Sequence, residues 1–264
     1  MGHPPQELRG SLHARTAGED RGGLGSIPIH RRSGRALRPL PPPYPADVFT
    51  TLVREAHLVE GDLAIEVGAG TGLATRPLVE SGLTVHAVEP AIELAKLAEE
   101  KLDRQATFIN NRFEDCPLPR PVRLVAAFNA CHWVDPTVAL DRAADLLEPE
   151  GSLALVWTEV LSWGPPRFED RLADLFGASW LKVVAQVEES LEPVRADTRY
   201  EDLRVFHHPF ERTLDGASYV AVTQTYGGQR SAEQYKALER MITEEFDDAI
   251  VKKEDAVLYV TQRV

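Results

Sequence analysis

The chain has 264 residues, an apolar share of 43% and a formal net charge of −12, which suits one α/β domain with an elaboration. The negative charge argues against a general nucleic-acid or anionic-membrane binder, because phosphate contacts need clustered lysine and arginine, and so favours a small-molecule partner. The two cysteines, Cys116 and Cys131, and the lack of an apolar signal segment or membrane-length apolar run indicate a cytoplasmic protein with buried, inert thiols.

The first forty residues differ from the rest because they hold seven arginines, no lysine and only three acids. Glycine, proline, serine and arginine dominate Gly10 to Pro43, and apolar periodicity is missing there. We therefore predict that residues 1–43 form a disordered basic tail and that residues 44–264 form the domain. Composition favours a solvated extension over an arm that binds an acidic partner.

A helix and a buried strand are predicted at the start of this domain. Apolar residues recur at helical spacing from Ala46 to Ala56. The stretch from Leu63 to Gly72 then reads Leu-Ala-Ile-Glu-Val-Gly-Ala-Gly-Thr-Gly, an apolar run that breaks into glycines. This pattern predicts a parallel strand that ends in a tight turn, followed by a helix from Leu73 to Ser81 whose first amides face a ligand.

The glycine spacing bears on the ligand. Three alternate glycines let the backbone approach a ligand without a Cβ in between, namely Gly68, Gly70 and Gly72. A dinucleotide fingerprint spaces its glycines as GxGxxG, whereas here Leu73 occupies the position of the third glycine. The spacing disfavours an NAD(P)-dependent oxidoreductase, and a turn that only serves strand–helix packing stays open as an alternative.

The second strand, predicted from Leu83 to Val88, ends in Glu89 and Pro90. An acid at the carboxyl end of this strand can accept hydrogen bonds from both ribose hydroxyls of an adenosine cofactor. Glu89 is that acid, unless it is only a solvated carboxylate at a strand end.

Strand four, Leu124 to Phe128, follows an amphipathic helix from Ala91 to Leu102 and a short third strand from Thr107 to Ile109. Directly after strand four come His132 and Trp133. Open α/β sheets place their ligand crevice at the carboxyl ends of their strands, so this pair is predicted to line it.

The rest of the chain predicts a fifth strand from Ser152 to Trp157 and a helical lid insertion over residues 158–200, where substrate choice should lie. Strands from Leu203 to Arg212 and from Ala256 to Thr261 finish the sheet. The remaining helices are predicted at Thr137–Leu147, around Tyr219–Tyr226 and at Ala232–Phe246. The adjacent His207 and His208 do not indicate a metal site, because neighbours on a strand point to opposite faces.

These motifs together resemble the class I S-adenosylmethionine-dependent methyltransferases. The glycine loop resembles their E/DxGxGxG motif, and the segment from Ala130 to Asp135 resembles an A-x-H-W-x-D segment of a subgroup that includes trans-aconitate methyltransferase-like enzymes. An Ala-Glu-x-Leu-Pro type pattern maps onto Phe113, Glu114 and Pro117. The resemblance covers roughly Tyr44 to Trp157.

The resemblance implies a doubly wound α/β fold with a seven-stranded, mostly parallel sheet, an antiparallel last strand and a helical lid. It implies S-adenosylmethionine as cofactor, no metal, and His132 and Trp133 as catalytic residues. The residues that it places at the cofactor are Glu66, Gly68, Ala69, Gly70, Gly72, Glu89, Pro90, Phe113, Glu114 and Asn129.

The expected reaction is methyl transfer to a carboxylate or hydroxyl oxygen of a small molecule, with His132 as general base or as a holder of the substrate. A catalytically silent cofactor-binding protein of the same fold is the main alternative. The family carries a Tyr-x-x-x-Arg-Pro-x-Tyr-Pro type segment before the first helix, of which only Tyr44-Pro45 matches here, with Arg38-Pro39 out of register.

Overall fold

The structure, a computed structural model, describes residues 44–178, 187–225 and 230–264, all of which belong to one compact unit. The predicted basic tail, residues 1–43, lies outside the described residues, as does the part of the predicted lid at 179–186. Within the described ranges, no helix combines the length and the apolar character needed to cross a membrane.

The chain alternates between strands and helices, as predicted. The strands are β1 (Leu63–Val67), β2 (Thr84–Val88), β3 (Thr107–Ile109), β4 (Val122–Phe128), β5 (Leu147–Ser162), β6 (Tyr200–Leu214) and β7 (Ile250–Arg263). The helices are α1 (Ala46–Glu55), α2 (Thr75–Glu80), α3 (Ile92–Leu102), α4 (Pro136–Leu146), α5 (Pro166–Phe176), α6 (Val187–Ala196), α7 (Gly216–Thr225) and α8 (Ala232–Glu245). A 3₁₀ turn, Cys131–Trp133, follows β4.

The seven strands form one sheet in the order β3-β2-β1-β4-β5-β7-β6. Strands β1 to β5 pair in parallel, and β7 is antiparallel to both of its neighbours. The predicted doubly wound fold with an antiparallel last strand is therefore confirmed. The strand order reverses between β1 and β4, and this reversal marks the ligand crevice at the carboxyl ends of a doubly wound sheet.

Helices cover both faces of the sheet and bury its apolar residues. One core lies between the sheet, α4 and α6, and a second lies between the sheet, α1 and α2. A third core joins α5, α7 and α8 and buries Trp163 and Phe168, so these two aromatics of the predicted lid pack inside the protein. The first two cores fix the strand ends that carry the predicted site.

Several element boundaries differ from the prediction. Strands β5, β6 and β7 are longer than predicted. In β6 and β7, charged residues near the strand ends pair with one another inside the protein and so break the apolar pattern. Helix α2 begins at Thr75 instead of Leu73. Gly72, at φ 77°, turns the backbone into a left-handed conformation that an α-helix does not contain, and Leu73 is left exposed.

Candidate functional site

Two of the three loop glycines are required by packing. A Cβ on Gly68 would lie 2.5 Å from the Cβ of Ala130, so the loop after β1 rests directly on the segment after β4. A Cβ on Gly72 would lie 2.5 Å from Cδ1 of Leu102 in α3. The close approach of Gly68 to Ala130 places the glycine loop next to the turn that carries the predicted catalytic pair.

Gly70 differs from both, because a Cβ built on it would meet no protein atom within 4 Å. Its amide donates a hydrogen bond to Oε2 of Glu89 at 2.8 Å, and the amide of Ala91 donates to Oε1 at the same distance. The amide of Ala69 donates to the carbonyl of Val88 at 3.0 Å. These hydrogen bonds hold the loop against the end of β2. They leave an open space beside Gly70, through which a ligand could approach the loop closely.

Glu66 lies beneath this loop and is almost fully buried. Its Oε2 accepts a hydrogen bond of 2.6 Å from the hydroxyl of Thr75, at the first turn of α2. Burial is the main cause that raises the pKa of Glu66 to about 8; the Thr75 hydrogen bond acts against this rise, and the charge of Glu89 contributes to it. Glu66 is therefore a neutral acid at pH 7 that anchors the helix after the loop.

We expect the free energy of unfolding to fall as the pH rises from about 5 to about 8. Because its pKa is raised, Glu66 in the folded protein holds a proton that the unfolded chain has already lost in this pH range. The contribution of this proton to stability is complete below the pKa of Glu66 in the unfolded chain, and it is lost as the pH rises through the pKa in the folded protein. The slope should reach at most about 1.4 kcal/mol per pH unit. Denaturant titrations across this range should show a flatter profile in Glu66→Gln, whereas Glu80→Gln, an exposed acid on α2, should keep the wild-type slope.

The loop after β3 holds the next two predicted residues. Phe113 is buried in the first core. Glu114 accepts a hydrogen bond of 2.6 Å from Arg112, so part of its hydrogen-bonding capacity is already used. Asn110, which the sequence did not single out, donates to the carbonyls of Glu89 and Pro90 at 2.9 and 3.0 Å. It thereby fixes the end of β2, where the predicted ribose site lies.

Asn129, at the end of β4, connects three elements. At φ 51° it lies in the left-handed region, and its amide nitrogen donates to the hydroxyls of Tyr44 and Thr158 at 3.0 and 3.1 Å. Its side-chain oxygen accepts the amide of Thr158 at 2.8 Å. Burial raises the pKa of the Tyr44 hydroxyl, which therefore keeps its proton and can donate a hydrogen bond. In the sequence, only the match of Tyr44-Pro45 to the family segment before the first helix pointed to Tyr44.

His132 and Trp133 lie on the 3₁₀ turn after β4, and both are exposed. Their rings are 4.8 Å apart between centroids and tilted by 44°. Desolvation lowers the pKa of His132, because neighbouring protein atoms shield part of the ring. Asp135 caps α4 directly after the turn, accepting from the amides of Thr137 and Val138. The turn is therefore anchored on both sides, and its imidazole is neutral near pH 7.

The two thiols differ in burial. Cys116 is buried, as predicted, while Cys131 is only partly so. Burial raises the pKa of Cys131 to about 11, so both thiols stay protonated and unreactive at neutral pH.

The adjacent histidines of β6 contact different carboxylates. The ring of His207 contacts Asp255 at 2.7 Å, while His208 faces α1 and lies 3.4 Å from Asp47. Throughout the part of the chain that the structure describes, no three His, Cys, Asp or Glu side chains are grouped closely enough to hold a metal ion.

Part of the chain that carries this site matches a known family. Residues 65–155 match the family model described as "Methyltransferase domain". An uncharacterized methyltransferase of Mycobacterium bovis is 36% identical over 126 residues, which cover 46% of this chain and 50% of the relative. Another from Geobacillus thermodenitrificans is 32% identical over 102 residues, 37% of this chain and 47% of the relative. The chain thus spans about half the length of these relatives.

Solved structures confirm the fold. The YcgJ protein of Bacillus subtilis has a similar fold, with a TM-score of 0.55 at 15% sequence identity. The match covers 82% of this chain and 98% of that protein. A candidate type II methyltransferase of Anaeromyxobacter dehalogenans covers 85% and 97% with a TM-score of 0.57 at 20% identity. These likenesses confirm the predicted doubly wound fold.

Proposed function

We propose that this chain is an S-adenosylmethionine-dependent methyltransferase that methylates a carboxylate or hydroxyl oxygen of a small molecule. The observation that carries the proposal is the joint placement of Gly70 and Glu89. The open space beside Gly70 suits the close approach of a cofactor, and Glu89 stands at its edge. The His132-Trp133 pair supports the finer proposal of a trans-aconitate methyltransferase-like enzyme.

The residues present fit this cofactor. Each oxygen of Glu89 accepts one backbone amide, and each keeps a lone pair for a ribose hydroxyl. Phe113 and Glu114, on the loop after β3, are proposed to meet the adenine. Asn129, at the end of β4, and Tyr44, which accepts a hydrogen bond from it, are proposed to face the amino-acid end. Glu66 supports the loop from below through Thr75.

When bound, the cofactor supplies an electrophilic methyl group on a sulfonium. The chain must then align the acceptor oxygen for an in-line displacement and exclude water from it. A hydroxyl acceptor must also lose its proton, and the lowered pKa of His132 leaves its imidazole neutral and able to take that proton at pH 7. With a carboxylate acceptor no proton leaves, and His132 acts as a hydrogen-bond donor that orients it.

The cofactor assignment is tested with Glu89→Ala, which should weaken S-adenosylmethionine binding by about 1–3 kcal/mol, because charge-assisted hydrogen bonds to the ribose are lost. Isothermal titration with S-adenosylmethionine, S-adenosylhomocysteine and NAD measures this directly. Glu93→Ala is the matched control, since Glu93 is an exposed acid on the following helix. Melting curves of both variants separate a folding defect from a binding defect.

Equal affinity of wild type and Glu89→Ala for the cofactor would contradict the ribose assignment, and tighter binding of NAD would point to an oxidoreductase. A protein that binds S-adenosylmethionine but forms no S-adenosylhomocysteine with any acceptor in a broad screen would be a silent binder of the same fold.

A further inference from the structure

Three charged side chains lie inside the protein where β6 and β7 run side by side, and none of them belongs to the predicted site. Glu254 accepts hydrogen bonds from Arg212 through one carboxylate oxygen and from Lys252 through the other. Lys252 and Glu254 are fully buried, and Arg212 is 9% exposed. We call this group the Arg212 cluster; burying such charges costs several kcal/mol per ion before their mutual attraction is counted.

The Arg212 cluster lies at the same edge of the sheet as the predicted site. Strand β6 runs in the same direction as β4 and β5, so Arg212 near its carboxyl end lies at the same sheet edge as Asn129 and Thr158. The charge of Arg212 acts on the hydroxyl of Tyr44, which is itself hydrogen-bonded to Asn129. The cluster is therefore within electrostatic reach of the end of β4.

One donor of the cluster is left over. Arg212 uses Nε and Nη2 on Glu254, and among the described residues its Nη1 has no hydrogen-bond partner. A guanidinium carries N–H donors and no acceptor, so Nη1 can only donate. Lys252 is the weaker candidate, because burial lowers its pKa to about 8 despite Glu254, and the ring of Trp163 covers its ammonium at 4.8 Å.

We propose that Arg212 binds a carboxylate of the methyl acceptor and thereby sets its orientation at the end of β4. This inference rests on the proposed methyltransferase function and gives its substrate class as small carboxylic acids. Glu254 orients the guanidinium, and the hydroxyl of Tyr44 is a second donor for the same carboxylate. An arginine that Glu254 holds in a mostly buried position, with Nη1 still available as a donor, is suited to binding a carboxylate.

The test is a binding measurement with defined probes. Succinate, citrate, benzoate and phenylacetate, each paired with its neutral amide, are titrated into the protein with and without saturating S-adenosylhomocysteine. At least one acid should bind about tenfold or more tightly than its amide. Arg212→Gln should abolish that preference, and Arg212→Lys should restore part of it. Arg171→Gln is the matched control, because Arg171 also pairs with a glutamate, Glu245 at 2.8 Å, but on the surface.

The proposal is overturned if no acid binds wild type more tightly than its amide, or if the preference survives in Arg212→Gln. If that variant does not fold, Arg212→Lys decides, since it keeps a charge beside Glu254 but removes the fork; an undiminished preference would count against the proposal. S-Adenosylhomocysteine affinity is read in parallel. Acid binding that depends on Arg212 without any cofactor binding would sustain the subsite and refute the methyltransferase function.

Discussion

Replacing His132 with alanine is expected to lower turnover by about 10²- to 10⁴-fold if the imidazole acts as a general base. S-Adenosylmethionine affinity should stay close to that of wild type. The turn that carries His132 follows β4, whereas the hydrogen bonds that hold the glycine loop come from Val88 and Glu89 at the end of β2. Steady-state kinetics with an identified acceptor, together with calorimetry, measure both quantities.

The pH profile separates the two roles of His132. Desolvation lowers its pKa, so a base should give a rate that rises with pH through a value below the usual 6.5 and then levels off. A histidine that works as an orienting cation should instead lose activity through the same range. Either transition should be missing in His132→Ala and kept in His207→Ala, a control at an exposed histidine on β6. If His132→Ala kept the wild-type turnover, the role of His132 would be structural and not catalytic.

The second large effect is expected from Gly70→Val, which should reduce cofactor affinity by more than about 100-fold. The new side chain would project into the open space beside the loop, and at φ 56° a β-branched residue is strained as well. Calorimetric titration with S-adenosylmethionine gives the affinity, and thermal melting gives the cost in stability, expected at about 1–3 kcal/mol.

Gly61→Val provides the matched control for backbone strain. Gly61 has φ 89°, is exposed, and also has no atom within 4 Å of a built Cβ, but it precedes β1 at the opposite end of the strand. Both variants should lose similar stability, and only Gly70→Val should lose the cofactor. If Gly61→Val weakened the cofactor equally, strain and not obstruction would be the cause.

Sequence alone predicted the parts of the fold that depend on local patterns. The run from Leu63 to Val67 is apolar and short, and β1 has these bounds. Glu89 could be placed at the ligand edge because it directly follows such a run. Local glycine spacing also predicted the loop, although it could not separate the packing roles of Gly68 and Gly72 from the open position of Gly70.

The Arg212 cluster could not be predicted in this way. Arg212 is separated from Lys252 and Glu254 by about forty residues, and only the register of β6 on β7 brings them together. Charged residues in a strand normally indicate a solvated face, so the sequence pattern gave no sign that these three side chains are buried. The contact of Asn129 with Tyr44, 85 positions apart, likewise depends on how α1 packs against the sheet.

The pair of hydrogen bonds that Glu89 makes with Gly70 and Ala91 has an entropic consequence. These bonds order the loop by contacts within the protein, so an incoming molecule does not have to freeze a flexible glycine segment. Ordering each backbone residue costs about 1–2 kcal/mol, and here folding has already met that cost. A loop with three glycines in five positions would otherwise lose much of its binding energy to disorder, and the carboxylate of Glu89, together with the carbonyl of Val88, reduces this loss.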